Sequence, residues 1–336
     1  MSRTKPPCES LHNHTNASDG AQTHLEVLEA AQKLGYGVVA FTDHDQLPKP
    51  ETLQQLKSYS GPVKWLVGIE ISSALPKELA DDGTLHILGL FTGPLNPDLL
   101  SYCQKREQSR ILRMRHIVKR LTQLGFTISE QDCLKVSGSN PVGSPHIVTA
   151  LKAHPQNQAV IEKMADQMKM AAQSDLEVAR VYQRMISEGP RQYPYVLFMR
   201  SSSFFPMPKK DFGTLLDVDE SVRLIRGAGG IAILAHWFFN QDNLPATSLE
   251  RLVREGRLDG VETDVVNLIT KRDISSESAY LRGLAQQHNL VQTIGADAHD
   301  ADDLAHFAGS EAAGRSVGMT GRIIEKVQPA LEWTNL

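Results

Sequence analysis

Apolar residues along this chain follow two rhythms that take turns. Short runs with strand character occur near 9–14, 37–43, 63–72 and 84–92, and helical patterns near 24–35 and 49–58 separate the first three. From about 97 to 205 only helical patterns and loops remain. This stretch holds a long basic helix through Arg106, Arg110, Arg113 and Lys119, the loop SGSNPVGSP, a segment from Ile147 and a methionine-rich acidic stretch around 159–188. The alternation then resumes with helix 218–228, strand IAILAH, helix 246–256, strand GVETD, helix 275–288 and strand VQTIGADAH. Strands alternating with helices predict an α/β fold, and the helical block between two alternating stretches predicts an insertion. The expected parts are 1–98 and 206–336 for the alternating body and 99–205 for the helical insertion; no internal repeat is visible.

Histidine and carboxylate gather in or just after the apolar runs: LHNHT (His12, His14), FTDHD (Asp43, His44, Asp45), LVGIEIS (Glu70), LHILGLF (His86), IAILAH (His236) and IGADAHD (Asp297, His299). Strand residues two apart point to the same side, so His12 with His14, and Asp297 with His299, each offer two ligands to one point. With Asp19 in NASDG, the candidates are His12, His14, Asp19, His44, Glu70, His86, His236, Asp297 and His299. Taken alone, His86 is more often a hydrogen-bonded core residue, and Glu70 a paired buried carboxylate. Taken together, several short apolar runs would each carry a costly polar group, and a shared metal centre relieves all of them. Imidazole and carboxylate without cysteine suit Zn, Mn or Fe and argue against a structural thiolate zinc site.

The order LHNHT, SDG, TDHD, GIEIS, LHILGL, LAH and GADAH resembles the PHP family, named for polymerase and histidinol phosphatase domains, over nearly the whole chain. The resemblance implies a distorted (β/α)7 TIM-like barrel with a phosphoesterase site of two or three divalent metals, manganese favoured, at the C-terminal strand ends. It further implies that His12, His14, Glu70 and Asp297 hold one metal, Glu70, His86 and His236 a second, and Asp19, His44 and His299 a third. The wide gap between LHILGL and LAHW resembles the branch with an inserted helical domain, which includes nucleotide phosphatases and an exoribonuclease acting from the 5′ end. The implied activity is hydrolysis of nucleoside mono- or bisphosphates by a hydroxide bridging the metals, with His236, His44 or Asp297 able to carry protons. The alternatives are a 5′-3′ exonuclease on short RNA or DNA, an accessory or proofreading module, and amide or ester hydrolysis with the same metal water. Three positions depart from the family pattern: Ser10 stands where Asp is frequent, Trp237 follows His236 in place of Pro, and Ala298 replaces a bulky aromatic.

Substrate contacts are expected from Trp237, which could stack a base or simply close the pocket, and from the insertion. There Arg191 in GPRQYPYV is the leading phosphate clamp, and His146 in GSPHIV could face a phosphate or cap a helix. The basic residues of the long helix spread around it as a solvated surface, and Lys209 and Lys210 read as a solvated turn. A net charge of −4 gives no global nucleic-acid footprint; a nucleotide or short oligonucleotide is the partner that the resemblance implies, with no obligate protein partner expected. No apolar run has transmembrane length, MSRTKPPCES lacks a signal-peptide core, and three widely spaced cysteines suit a reducing cytoplasm.

Overall fold

The computed structural model describes residues 6–76, 78–79, 83–138, 141–200, 202–207, 212–213, 215–265 and 273–336. The chain divides into two compact units, Met1–Gln104 with Leu215–Leu336, and Lys105–Thr214. Lys209 and Lys210 lie outside the described residues.

The first unit is built on one seven-stranded sheet whose spatial order is its chain order: β1 (Cys8–Ser10), β2 (Tyr36–Phe41), β3 (Lys64–Ala74), β4 (Thr84–Leu90), β5 (Ile231–Leu234), β6 (Gly260–Val265) and β7 (Val291–Gly295). The sheet closes on itself. Leu11 N–H donates to Ile294 O (3.1 Å), Asp297 N–H to His12 O (2.9 Å) and His14 N–H to Ala298 O (2.8 Å), which joins the chain after β1 to β7 and its continuation. Closure leaves no edge along this seam and confirms the expected distorted barrel. The expectation of seven strand–helix units needs one correction. β4 runs antiparallel to both neighbours, because the connection from β3 is too short to carry a crossover helix.

Helices α1 (His24–Leu34) and α2 (Pro50–Lys57) follow β1 and β2. Helix α1 starts where the sequence requires it: Thr23 Oγ1 accepts from Glu26 N–H (3.3 Å) and Glu26 Oε2 accepts from Thr23 N–H (2.8 Å), a reciprocal cap. Its C-terminus turns at Gly35, whose φ of 80° is a left-handed conformation costly for other residues. The remaining helices of this unit are α8 (Val218–Gly227), α9 (Ala246–Arg254), α10 (Ser275–Gln287), α11 (Ala301–Ala308), α12 (Glu311–Ser316) and α13 (Met319–Val327). They bury their apolar faces against the sheet in one core that includes Phe41, Trp65, Ile71, Leu88 and Phe307.

At the beginning of β3 the last residues of the chain add a short antiparallel pairing. Val67 N–H donates to Trp333 O (3.1 Å), Asn335 N–H to Trp65 O (3.1 Å), and Trp65 N–H to Asn335 Oδ1 (2.6 Å). The tail thus occupies the stretch of β3 that β4 does not reach, since β4 pairs only from Gly68 onward.

The second unit is helical. Helix α3 (Pro97–Gln123) begins in the first unit and continues into the second, which adds α4 (Glu130–Ser137), α5 (Ser144–Lys152), α6 (Asn157–Ala171), α7 (Leu176–Glu188) and a π-helical turn at Tyr195–Met199. Its own core includes Ile117, Leu121, Phe126, Leu151, Met164 and Phe198.

Candidate metal centre

All nine candidates from the sequence converge at the C-terminal end of the sheet. They form four overlapping groups: His14, Asp19, His44 and His299; His12, His14 and Glu70; His12, His236 and Asp297; His44, Glu70 and His86. Within each group the potential donor atoms lie within 4.8 Å of one another. Most of these residues stand just past a strand. His12 and His14 follow β1, His44 follows β2, His236 follows β5, and Asp297 and His299 follow β7. Glu70 lies inside β3, and His86 reaches the same end because β4 is reversed, pairing opposite Ser72.

The alternation argument succeeds for one pair. His12 and His14 point together, with Nε2 atoms 3.3 Å apart, while Asn13 between them turns away and donates to Ser10 O (3.0 Å) and Ala40 O (2.9 Å). It fails for the other. Asp297 has φ 48°, a left-handed conformation that breaks the extended period, so Asp297 and His299 join different groups. Positive φ also occurs at His236 (28°) and Asp45 (52°), so backbone conformations that L-residues rarely adopt cluster around this end of the sheet.

Glu70 is the centre of the arrangement. Its carboxylate is fully buried and meets five imidazoles. Oε1 lies 2.9 Å from His86 Nδ1 and 3.1 Å from His236 Nε2; Oε2 lies 2.8 Å from His44 Nδ1, 3.3 Å from His14 Nε2 and 3.4 Å from His12 Nε2. Despite this crowding, Glu70 Oε2 and His14 Nδ1 are buried and make no hydrogen bond. Asp19 stands further off, at 3.6–3.8 Å from His14, His44 and His299, too long for hydrogen bonds. The 2.8–3.4 Å around Glu70 and these longer separations bracket the about 3.0–3.4 Å between donor atoms that surround one cation at bonds of about 2.0–2.1 Å. The donor set therefore fits divalent metal ions.

Without a cation, the charges sort as carboxylate against imidazolium. Burial would raise the Glu70 carboxyl, but His44, His86 and His12 outweigh it and hold it well below the usual range. Asp297 behaves alike through His12 and His14, and Asp19 through His44, His299 and His14. Burial disfavours the charged imidazoles, yet Glu262, Asp297 and Glu70 raise His12, Glu70 raises His236, and Asp19 pushes His299 up to about 10. His14 moves the other way, lowered by burial and by His299 and His44. Side-chain exposure rises from zero at His12, His14 and Glu70 to 20 % at Asp297, 28 % at His86 and 37 % at His299, which identifies the side open to solvent.

Two supporting residues, Glu262 and Gly295, escaped the sequence reading. Glu262, buried in β6, lies 3.0 Å from His12 Nδ1 and accepts from His236 N–H at 2.8 Å, so one carboxylate orients the imidazole of one strand end and the backbone of another. The signal was an acidic residue in GVETD, a strand buried along its whole length. Gly295 leaves room for this contact, since a Cβ there would meet His12 Cβ at 2.3 Å and Glu262 Oε1 at 2.8 Å. Ser10, where the family pattern favours Asp, straps β1 to β7 by accepting from Ala296 N–H (2.9 Å) and donating to Asn13 Oδ1 (2.8 Å).

Trp237 is corrected as a base-stacking surface. It is 4 % exposed, its indole N–H donates to Leu244 O (2.7 Å), and its ring packs against Tyr280, which leaves the packing alternative. In the second unit His146 Nδ1 accepts from Gly143 N–H (2.9 Å), the capping arrangement at the start of α5, and Arg191 is exposed just before the π-helical turn.

A closed, largely parallel sheet with a histidine and carboxylate cluster at its C-terminal end defines a barrel hydrolase of the metal-dependent kind. Residues 10–124 match the family model described as PHP domain, the family that the motifs resemble. It is 24% identical over 290 residues to the 5'-3' exoribonuclease Rnm of Salmonella typhimurium, covering 86% of this chain and 84% of that protein. It is 25% identical over 295 residues to a phosphoribosyl 1,2-cyclic phosphate 1,2-diphosphodiesterase of Eggerthella lenta, covering 87% and 94%. A 3',5'-nucleoside bisphosphate phosphatase of Chromobacterium violaceum is 29% identical over 116 residues, 34% of this chain and 39% of that one. Among solved structures, a candidate metal-dependent phosphoesterase of Bifidobacterium adolescentis superposes with a TM-score of 0.62 at 24% identity, covering 92% of this chain and all of that one, a likeness of fold. Among the described residues no helix is long and apolar enough to cross a membrane.

Proposed function

We propose that this protein is a metal-dependent phosphoesterase that hydrolyses phosphate esters of nucleotides, with His12, His14, Asp19, His44, Glu70, His86, His236, Asp297 and His299 holding two or three divalent ions. The observation that carries this reading is Glu70, a buried carboxylate ringed by five imidazoles, with one oxygen that makes no hydrogen bond. Bound divalent ions would neutralise a phosphoester and supply water ionised near neutral pH. The chain's own contribution is to fix the donors. Glu70 spans two groups, Glu262 aims His12, and the solvent-facing members His86, Asp297, Asp19 and His299 form the edge where a phosphate would enter. His44, His236 and Asp297 act first as ligands, because a lone pair given to a cation cannot also accept a proton. Manganese is the proposed metal; nitrogen and oxygen donors also suit zinc and iron. The three cysteines are buried and unbridged, which suits a reducing cytoplasm.

A second reading, 5′-3′ exonuclease action on short RNA or DNA, is favoured by the relatedness to an exoribonuclease over most of the chain. One panel tests both. Metal-reconstituted protein is offered mononucleotides, 3′,5′-bisphosphates, cyclic phosphodiesters and 5′-phosphorylated oligonucleotides. Phosphate release from the small nucleotides supports the first reading, stepwise mononucleotide release from oligonucleotides the second, and inertness toward all of them removes both.

A further inference from the structure

Two aspartates flank His44, and protein donors engage both. Asp43 is buried and accepts from Thr15 N–H (2.8 Å), Thr15 O–H (2.8 Å) and Ser18 O–H (2.6 Å), so it anchors the loop that carries Asp19. Asp45 is fully buried in a left-handed conformation, and its Oδ1 accepts from Ser72 N–H (3.0 Å) and from the hydroxyl of Tyr102. The backbone alongside is stitched in parallel to β3, with Glu70 N–H donating to Asp43 O (3.1 Å) and Asp45 N–H to Glu70 O (2.8 Å). His44 is thereby pinned on both sides. Tyr102 is the member that comes from furthest away, a buried residue in the first turns of α3, and its hydroxyl reaches the carboxylate of the residue next to His44.

We propose that Asp45 and Tyr102 are a positioning pair for His44: the phenol holds the Asp45 carboxylate on Ser72, and this sets the backbone from which the His44 imidazole reaches its two groups. Neither residue touches substrate or cation. Their effect passes through the left-handed turn at Asp45, whose conformation an L-residue keeps only where its surroundings impose it. Loss of the link lets His44 swing, which weakens the groups His44 shares with Asp19, His14 and His299 and with Glu70 and His86.

The inference rests on His44 being a metal ligand, and the test separates the two. Manganese is titrated into the metal-free wild type, Tyr102→Phe and a control, Ser73→Ala, next to Ser72 on β3, which removes the buried hydroxyl contact to Ser221 of α8 (2.7 Å). Tyr102→Phe should weaken manganese affinity about 10–100-fold, the usual cost of losing a residue that orients a ligand. The accompanying loss of kcat/KM should recover at high manganese. Ser73→Ala should shift Tm without changing affinity. Asp45→Asn keeps an acceptor for both donors and should fall between wild type and Asp45→Ala, which serves if the phenylalanine variant does not fold. A wild type that binds no manganese, zinc or iron overturns the ligand reading and the pair with it. A wild type that binds, beside a Tyr102→Phe variant that binds equally and differs only in Tm, overturns the pair alone.

Discussion

The two ends of the barrel's sheet are built from the same seven strands and obey opposite rules. At the C-terminal end, imidazoles and carboxylates are buried together, three residues take left-handed conformations, and Glu70 is left short of hydrogen bonds. At the opposite end, where β3 begins, Trp65, Leu66 and Val67 are buried, and their backbone groups are satisfied by the tail, with Lys57 stacked over the Trp333 ring at 3.9 Å. One end keeps a carboxylate oxygen waiting among imidazoles; the other completes its backbone pairing and leaves over the indole N–H of Trp65. The contrast teaches that stability and chemistry are separable here: where nothing reacts the chain's own tail completes the backbone pairing, and charged groups are gathered only where a charged ligand can complete them.

The largest effect should come from breaking the rule-breaker. Glu70→Gln removes the one charge that five imidazoles share, and its amide offers two of them a donor in place of an acceptor. Elemental analysis should find metal lost, and kcat/KM should fall by more than the roughly 10–100-fold typical of an orienting residue, while circular dichroism keeps the barrel. Full activity with metal retained would break the comparison at its centre. Glu262→Gln should do less, because the amide can still receive the His12 ring N–H or the His236 N–H but carries no charge. The expected cost is about 10–100-fold in metal affinity, read by titration.

The protonation pattern sharpens the contrast further. The raised His299 stabilises the metal-free fold fully below its unfolded pKa of about 6.5, and that contribution disappears as pH climbs through about 10. Asp19 and Asp297, held low, contribute fully above the unfolded carboxylate range and lose that contribution progressively as pH falls from it toward their depressed folded values. Cations demand the deprotonated imidazole. Metal binding at pH 7 should therefore release protons, visible as a dependence of the calorimetric heat on buffer ionisation enthalpy, and affinity should rise with pH. A heat that ignores the buffer would contradict the protonated cluster. The smallest effect belongs to the far end. Asn335→Ala gives up the side-chain acceptor for Trp65 N–H and should cost about 1–2 kcal/mol by chemical denaturation with metal content and kcat unchanged.

The sequence made the donor set legible because ligands advertise themselves: a histidine or carboxylate at the end of an apolar run is costly unless something receives it. Strand and helix alternation likewise revealed the barrel and its helical interruption. What stayed hidden was direction. Nothing in FTDHD says that Asp43 and Asp45 serve Thr15, Ser18, Ser72 and Tyr102 while only His44 joins the groups, since left-handed Asp45 departs from the strand period. Trp237 looked like a surface beside a ligand, but a three-residue 3₁₀ turn folds it into the core. Glu262 was silent because its meaning depends on His12, which lies in a different strand region and meets it only after closure. In each case the missing information is a long-range contact, and no local period encodes that.

The seam that joins the two ends of the barrel has a consequence for how the protein is made. His12 leaves the ribosome well before His299, yet Asp297 N–H must find His12 O before their side chains share a centre. The helical unit, rich in local contacts, is suited to folding while synthesis continues, whereas the ring must wait for its final strand. An unfinished or prematurely ended chain can present imidazoles and carboxylates, but not gathered. The donor set is therefore assembled only once the ring has closed.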